Sequence, residues 1–489
     1  MTRIRITAAY ALTFENGDHA LLRDAEVIVE GTTIASVGHA TDVPVDETIA
    51  LGNVVLMPGL IDLDALTDID HAIIDSWHPA ERSAGLQWSK EYADTRREHV
   101  FDAEERAFIR RFGFVQLLLH GITSAMPIAS EVHSEWAETF DDAVGMAQTA
   151  SELGLRVFLG PSYRSGVTVV DSDGERGIAW NDELGEQGFR DAVDFVAWTR
   201  ELDDDLITGV LLPCRIETLT EELMRQTAMA AEQLNVKIRL HAMQGGLERK
   251  LILQRHGVSP IELLRRNGLL TQRLLVPHAT YVDTYSKVTA EPSDDIGQLA
   301  RAGVAIIHCP LTSARYGSAL ETFDSYIDAG VTVSLGTDSF PPDMIRGIDI
   351  GMCLAKIIEG RLDAGSPARY IRAATLGGAA ALGRPDLGRI EAGATADIVA
   401  MSLDDFRDGI IDDPVRTLIA HSTARATVFS MINGTTIVRD GEIPGIDMRA
   451  MRDRAQLLFE RMKGAYSGRD YRLRTTEELF PSVFSASEG

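Results

Sequence analysis

Met57-Pro58-Gly59-Leu60-Ile61-Asp62-Leu63-Asp64-Ala65-Leu66 marks the point where the character of this 489-residue chain changes. Before it, residues 4–7, 26–29 and 33–37 read as short β-branched strands, separated by turns such as Asn16-Gly17 and Glu30-Gly31. From Met57 onward, strands and helices alternate. Strands are predicted at 54–63, 121–125, 156–159, 209–212, 237–241, 274–278, 304–308 and 331–336, with helices between them at, for example, 103–119, 219–234 and 260–267. Such alternation implies a parallel sheet with crossover helices, and eight strands fit a closed (β/α)8 TIM barrel. After residue 390 the chain returns to short strands at 397–401, 426–432 and 435–438, with Asn433-Gly434 as a hairpin signal.

The expected organisation is therefore an α/β chain in three parts. Residues 1–56 plus 392–445 form a small composite β-sandwich domain from both chain ends, and residues 57–391 form the barrel. Residues 446–489 form a helical C-terminal tail that packs on the barrel or on a partner subunit. A homo-oligomer, dimer or larger, is expected.

Composition narrows the function classes. A formal charge of −26 argues against nucleic acid and anionic membrane surfaces, both of which favour basic patches. The longest apolar runs are strand-length, far below the ~18 residues of a membrane span. Residues 1–20 lack a basic start followed by an apolar core, so no secretory leader is expected. Cys214, Cys309 and Cys353 are odd in number and far apart, which reads as reduced thiols in a cytoplasmic protein.

The stretch Ala373-Ala374-Thr375-Leu376-Gly377-Gly378-Ala379-Ala380-Ala381-Leu382-Gly383 continues, after a gap, as Leu387-Gly388-Arg389-Ile390-Glu391-Ala392-Gly393-Ala394-Thr395-Ala396-Asp397-Ile398. Together with residues 57–66 and Met431-Ile432-Asn433-Gly434, this run resembles the amidohydrolase superfamily, with Leu387 and Ile398 as mild departures. The resemblance spans roughly residues 1–445. It is closest to the branch of chlorotriazine hydrolases and adenosylhomocysteine or guanine deaminases. In that branch one divalent metal is held at the barrel mouth by His-x-His of strand 1, a His of strand 5 and an Asp of strand 8. A metal with an open position acidifies bound water.

Carried over residue by residue, the resemblance is partial. His241 matches the strand-5 ligand, His278 the strand-6 histidine and Asp338 the strand-8 aspartate. The segment His308-Cys309-Pro310-Leu311-Thr312-Ser313 resembles the strand-7 segment. Asp64 and Leu66 stand in place of His-x-His, and Gln244 in place of the proton-handling Glu. Leu66 cannot bind a metal, whereas Asp64 can supply one hard oxygen. Asp64, His241 and Asp338 are thus the candidate ligands of one divalent metal, zinc or similar. Asp64 hydrogen-bonded to His241 with no metal is the competing reading, and the coordination rules leave the two equally open.

His278 and Asp338 are the candidate catalytic pair. Gln244 can hold a substrate but cannot shuttle a proton. His308 and Thr312 belong to the strand-7 segment expected to line the pocket. Trp77 and His78 lie where relatives place a substrate-covering loop. Arg164 and Arg215 follow strands 3 and 4, where they either clamp an anion or sit on exposed loops. The acidic run Asp62, Asp68, Asp70 and His71 reads as a solvated loop, with a displaced metal ligand among them as the alternative.

The expected function is an amidohydrolase-fold enzyme acting on a C–N or related C–X bond of a small planar substrate, with a non-standard or absent metal site. The alternatives are a metal-independent lyase or isomerase in the same pocket and a non-catalytic relative that binds a ligand or scaffolds a partner.

Overall fold

The computed structural model describes residues 2–74, 86–128, 136–289 and 293–484. Eight parallel strands form its centre: β1 (Leu60–Leu66), β2 (Ile122–Ile128), β3 (Arg156–Leu159), β4 (Ile207–Gly209), β5 (Ile238–Arg239), β6 (Leu274–Pro277), β7 (Ala305–His308) and β8 (Thr332–Leu335). They are hydrogen-bonded as two sheets, β4-β3-β2-β1 and β5-β6-β7-β8. Backbone hydrogen bonds join the sheets along one margin, where Leu211 N donates to Lys237 O (3.1 Å) and Arg239 N to Leu211 O (3.1 Å). Along the other margin Asp338 N donates to Asp64 O at 2.8 Å. Helices follow most strands and start where capping residues occur. Ala103–Leu119, for instance, begins at Asp102, whose carboxylate and Glu105 form a capping box.

Alternate strand residues point to opposite faces. Ile61, Leu63, Met126, Phe158, Val210, Leu212, Leu275, Ala305, Ile307 and Cys309 make one buried cluster, while Leu274, Val276, Ile306 and Val333 pack with the helices. In β1 the pairing with β2 slips between Asp62 and Ala65. Such a bulge re-aims side chains. Here Leu63 joins the inner cluster and its neighbour Asp64 meets Cys309, a member of the same cluster.

Both chain ends meet in a single sheet. Its order is Thr435–Arg439, Thr427–Ile432, Ile398–Ser402, Val54–Pro58, Arg3–Glu15, Asp18–Glu30, Thr33–Gly38, with Glu47–Ala50 on Arg3–Glu15. The hydrogen bonding runs continuously through eight strands, because Arg3–Glu15 is long enough to pair with three partners. The strand predicted over 54–63 divides at Gly59. Val54–Pro58 pairs antiparallel with Ile398–Ser402, and β1 pairs with β2. Gly59 is required at the crossing, since a Cβ there would lie 2.0 Å from Thr123 Oγ1. The Asn433-Gly434 turn has φ of 50° and 75°, the left-handed pair of a tight hairpin.

A buried ion pair ties the end sheet to the centre. Arg156 of β3 donates from Nε and Nη2 to Asp397 at 2.9 and 3.1 Å. The C-terminal helix Met448–Arg469 makes up the first half of the expected helical tail. It seats Leu458, Met462 and Tyr466 against Ile69, Ile73, Phe101 and Ile109 of the same chain. No helix among the described residues is long and apolar enough to cross a membrane.

Candidate active site

The site forms where β1, β5, β6, β7 and β8 end. Asp62 is fully buried and receives Asp64 N (3.1 Å), Thr337 N (2.9 Å) and Thr337 Oγ1 (2.5 Å), which locks β1 to the residues after β8. Burial pushes its carboxyl up to about 6 against the pull of the Thr337 hydrogen bonds. Asp62 is therefore a structural clasp in the interior rather than part of a solvated loop.

Asp64 is also fully buried, and four groups surround it. Its Oδ2 lies 3.5 Å from His241 Nε2, 3.9 Å from His278 Nε2 and 3.6 Å from Cys309 Sγ, and its Oδ1 lies 3.8 Å from Arg239 Nε. Burial alone would raise the Asp64 carboxyl, but the His241 and Arg239 charges outweigh it and hold the group well below the usual carboxylate range. His241 Nδ1 sits 3.1 Å from the Cys214 carbonyl, an oxygen that can only accept. Nδ1 therefore carries a ring proton, and Nε2 faces Asp64. Opposite a carboxylate, that nitrogen calls for a second ring proton or a metal cation between the two groups.

His278 Nε2 lies 3.7 Å from Asp338 Oδ2 and, like Asp64 Oδ1, is buried without a hydrogen-bond partner. Burial pushes the His278 imidazole down to about 3 despite the opposing Asp64 charge, so the ring is neutral near pH 7. Asp338 is the most open member, with 13% side-chain exposure. Met243, His278 and Asp338 have φ of 56°, 67° and 41°. Left-handed backbone at three non-glycine strand ends is strain of the kind that functional sites hold.

One donor atom each from Asp64, His278, Cys309 and Asp338 lies within 4.8 Å of every other. Ordinary zinc bond lengths in a tetrahedron place N and O donors about 3.4 Å apart and S and O donors about 3.6 Å apart. The observed spacings and the two orphaned polar atoms fit a small divalent cation.

The structure brings together four of the sequence-predicted residues: Asp64, His241, His278 and Asp338. Thr312 stands beside them, its hydroxyl donating to the Asp338 carbonyl. Gln244 and Arg215 meet at the mouth, where Arg215 Nη1 donates to Gln244 Oε1 and Arg215 bridges the chain at His241. Two residues point elsewhere. Arg164 Nε donates to Trp136 O at 2.6 Å while Trp136 Nε1 donates to Arg164 O at 2.9 Å, so this arginine staples a loop. His308 alternates with the inward Ile307 and Cys309, and its ring packs against the stacked pair of Phe323 and Tyr370. Trp77 and His78 lie outside the described residues.

Three contributors were missed. Arg239 is 4% exposed, sits beneath Asp64 and donates to Met126 O (2.6 Å), Pro127 O (3.1 Å) and Leu63 O (3.4 Å). A charged residue between Ile238 and Leu240, two before His241, was the available signal. Cys309 is inward by the same alternation that turns His308 away. Glu248, on the helix Gly246–His256, accepts from Met243 N (2.6 Å) and Gln244 N (2.8 Å) and shapes the loop after β5.

The chain matches the amidohydrolase family over residues 55–442. A 5-methylthioadenosine/S-adenosylhomocysteine deaminase of Halobacterium salinarum is 27% identical over 455 residues, covering 91% of this chain and 93% of that one. An 8-oxoguanine deaminase of Pseudomonas aeruginosa is 25% identical over 403 residues, covering 81% and 85%. Among solved structures, a zinc-bound adenosine deaminase from Xanthomonas campestris superposes with a TM-score of 0.79 at 23% identity, covering 94% of this chain and 99% of that one. A zinc complex of atrazine chlorohydrolase from Arthrobacter aurescens gives 0.74 at 22%, covering 93% and 100%. These neighbours imply a TIM-barrel-type fold with an additional domain. With so long a match, and the strand-5, strand-6 and strand-8 residues in family order, the chain belongs to the amidohydrolase family and is an amidohydrolase-like enzyme.

Proposed function

We propose that this chain is a hydrolase that replaces an amino or related substituent of a small planar nitrogen heterocycle with water-derived oxygen, releasing ammonia when the substituent is amino. One observation carries the reading. Asp64 Oδ2 lies 3.5 Å from His241 Nε2 and 3.9 Å from His278 Nε2, and His278 Nε2 lies 3.7 Å from Asp338 Oδ2. The fold behind it is read as a closed (β/α)8 barrel of residues 57–391. Residues 1–56 plus 392–445 are a composite domain and 446–489 a helical tail. Hydrogen bonding at both sheet margins supports the closure.

Asp64, His241 and Asp338 would hold a divalent metal, which supplies an acidified water when bound. Asp338, the most open carboxylate, takes the proton of the attacking water. Neutral His278 donates a hydrogen bond to the ring at the scissile position, which stabilises the charge that develops there. With its Oε1 engaged by Arg215, Gln244 offers its amide N–H to a ring acceptor. The deaminase names of the relatives support an aminated purine-like ring as the substrate class. The free cysteines support a cytoplasmic setting, and a homo-oligomer belongs to the same proposal.

A metal-free lyase or isomerase has one observation in its favour. Arg239 and the Cys309 thiol already contact Asp64 and compensate it without a cation.

Ammonia release from a panel of aminopurines, aminopurine nucleosides and aminotriazines tests the proposal. Turnover by wild type, abolished in His278→Ala and Asp338→Ala, is expected. Turnover that survives both substitutions refutes the assignment. An isomerised or eliminated product without ammonia selects the metal-free reading.

A further inference from the structure

We propose that Cys309 is a thiolate ligand of this metal site. The inference rests on the metal reading above and assigns a ligand which that reading does not include. Leu66 ends β1 with a side chain that has no donor atom, so the chain keeps only Asp64 of the strand-1 pair. Across the site, Cys309 is fully buried at the end of β7, where the strand's alternation turns it inward. Its Sγ lies 3.6 Å from Asp64 Oδ2. That is the separation of about 3.6 Å expected for sulfur and oxygen on one tetrahedral zinc ion.

Two further observations point into the same space. Asp64 Oδ1 is buried and has no hydrogen-bond partner. One donor atom from each of Asp64, His278, Cys309 and Asp338 also falls within a 4.8 Å sphere of the others.

Loading breaks the S–H bond and forms the S–metal bond, and the proton leaves to the buffer.

The test is X-ray absorption of the full chain loaded with one equivalent of zinc, as wild type and as Cys309→Ser. A sulfur scatterer at about 2.3 Å in wild type, absent in the variant, is expected. Zinc affinity in Cys309→Ser should fall by about a hundredfold or more, the upper end of what outer-sphere changes cost. The wild-type spectrum does not depend on the variant folding. Stoichiometric zinc with only nitrogen and oxygen neighbours overturns the thiolate and leaves the metal reading intact. A sulfur scatterer that persists in Cys309→Ser also overturns it. Failure to bind zinc at all overturns both.

Discussion

Replacing Arg239 with Met separates the forces at this site, because stability and cation binding should move in opposite directions. Methionine retains the length and apolar bulk of the side chain but removes the guanidinium. Three carbonyls, those of Leu63, Met126 and Pro127, lose their donor, and Asp64 loses the cation 3.8 Å from its Oδ1. Removing one partner of a buried ion pair costs about 3–5 kcal/mol. That is a large part of the roughly 5–15 kcal/mol by which proteins stay folded. The metal-free variant should therefore remain folded with a clearly lower urea midpoint and an unchanged slope. Cation binding should tighten. A positive charge that repels a divalent ion through a medium of effective dielectric ~20 is worth several kcal/mol at ~6 Å. Even after attenuation by the intervening Asp64, a gain of about tenfold or more is expected. Chelator competition measures this directly. A stability loss below about 1 kcal/mol, or weaker metal binding in Arg239→Met, refutes the arrangement of Arg239 and Asp64 described above.

Two further expectations concern the frame of the site. Asp397→Asn leaves Arg156, 1% exposed, without its carboxylate and weakens the Asn433 N contact at 2.8 Å. A loss of about 3–5 kcal/mol follows, and replacing both partners with apolar residues should recover much of it in a double-variant cycle. Glu248 is pushed up to about 8 by burial and by neighbouring Glu217. A raised carboxyl pKa means that the folded state holds this proton more tightly than the unfolded one. The wild type therefore loses stability as pH rises from about 4.3 to the folded value. Urea midpoints of Glu248→Gln relative to wild type should shift in favour of the variant across that window, and a pH-independent difference contradicts it.

The sequence carried the positions of His241, His278 and Asp338 because each ends a recognisable apolar strand. Their family order then predicted one shared site, and in the structure His241 lies beside Asp64 and His278 beside Asp338. Other parts depended on facts that residue type alone does not supply. His308 and Cys309 are neighbours, and only the strand's phase decides which one faces the site. Arg164 follows a strand as expected but is consumed by reciprocal hydrogen bonds with Trp136, a contact 28 residues away in sequence. The division at Gly59 was invisible because both halves are apolar and extended, and only the close approach of Thr123 makes the glycine obligatory. Asp62 read as part of an acidic loop, yet Thr337, 275 residues away, buries it as a clasp.

The metal content of the purified chain tests the central claim most directly. Wild type prepared without chelators, then dialysed and analysed for zinc and other divalent ions, should hold close to one ion per chain. A paired preparation of Asp64→Ala/His241→Ala should hold almost none. Wild type without bound metal after zinc loading, or a variant that retains wild-type stoichiometry, contradicts the account.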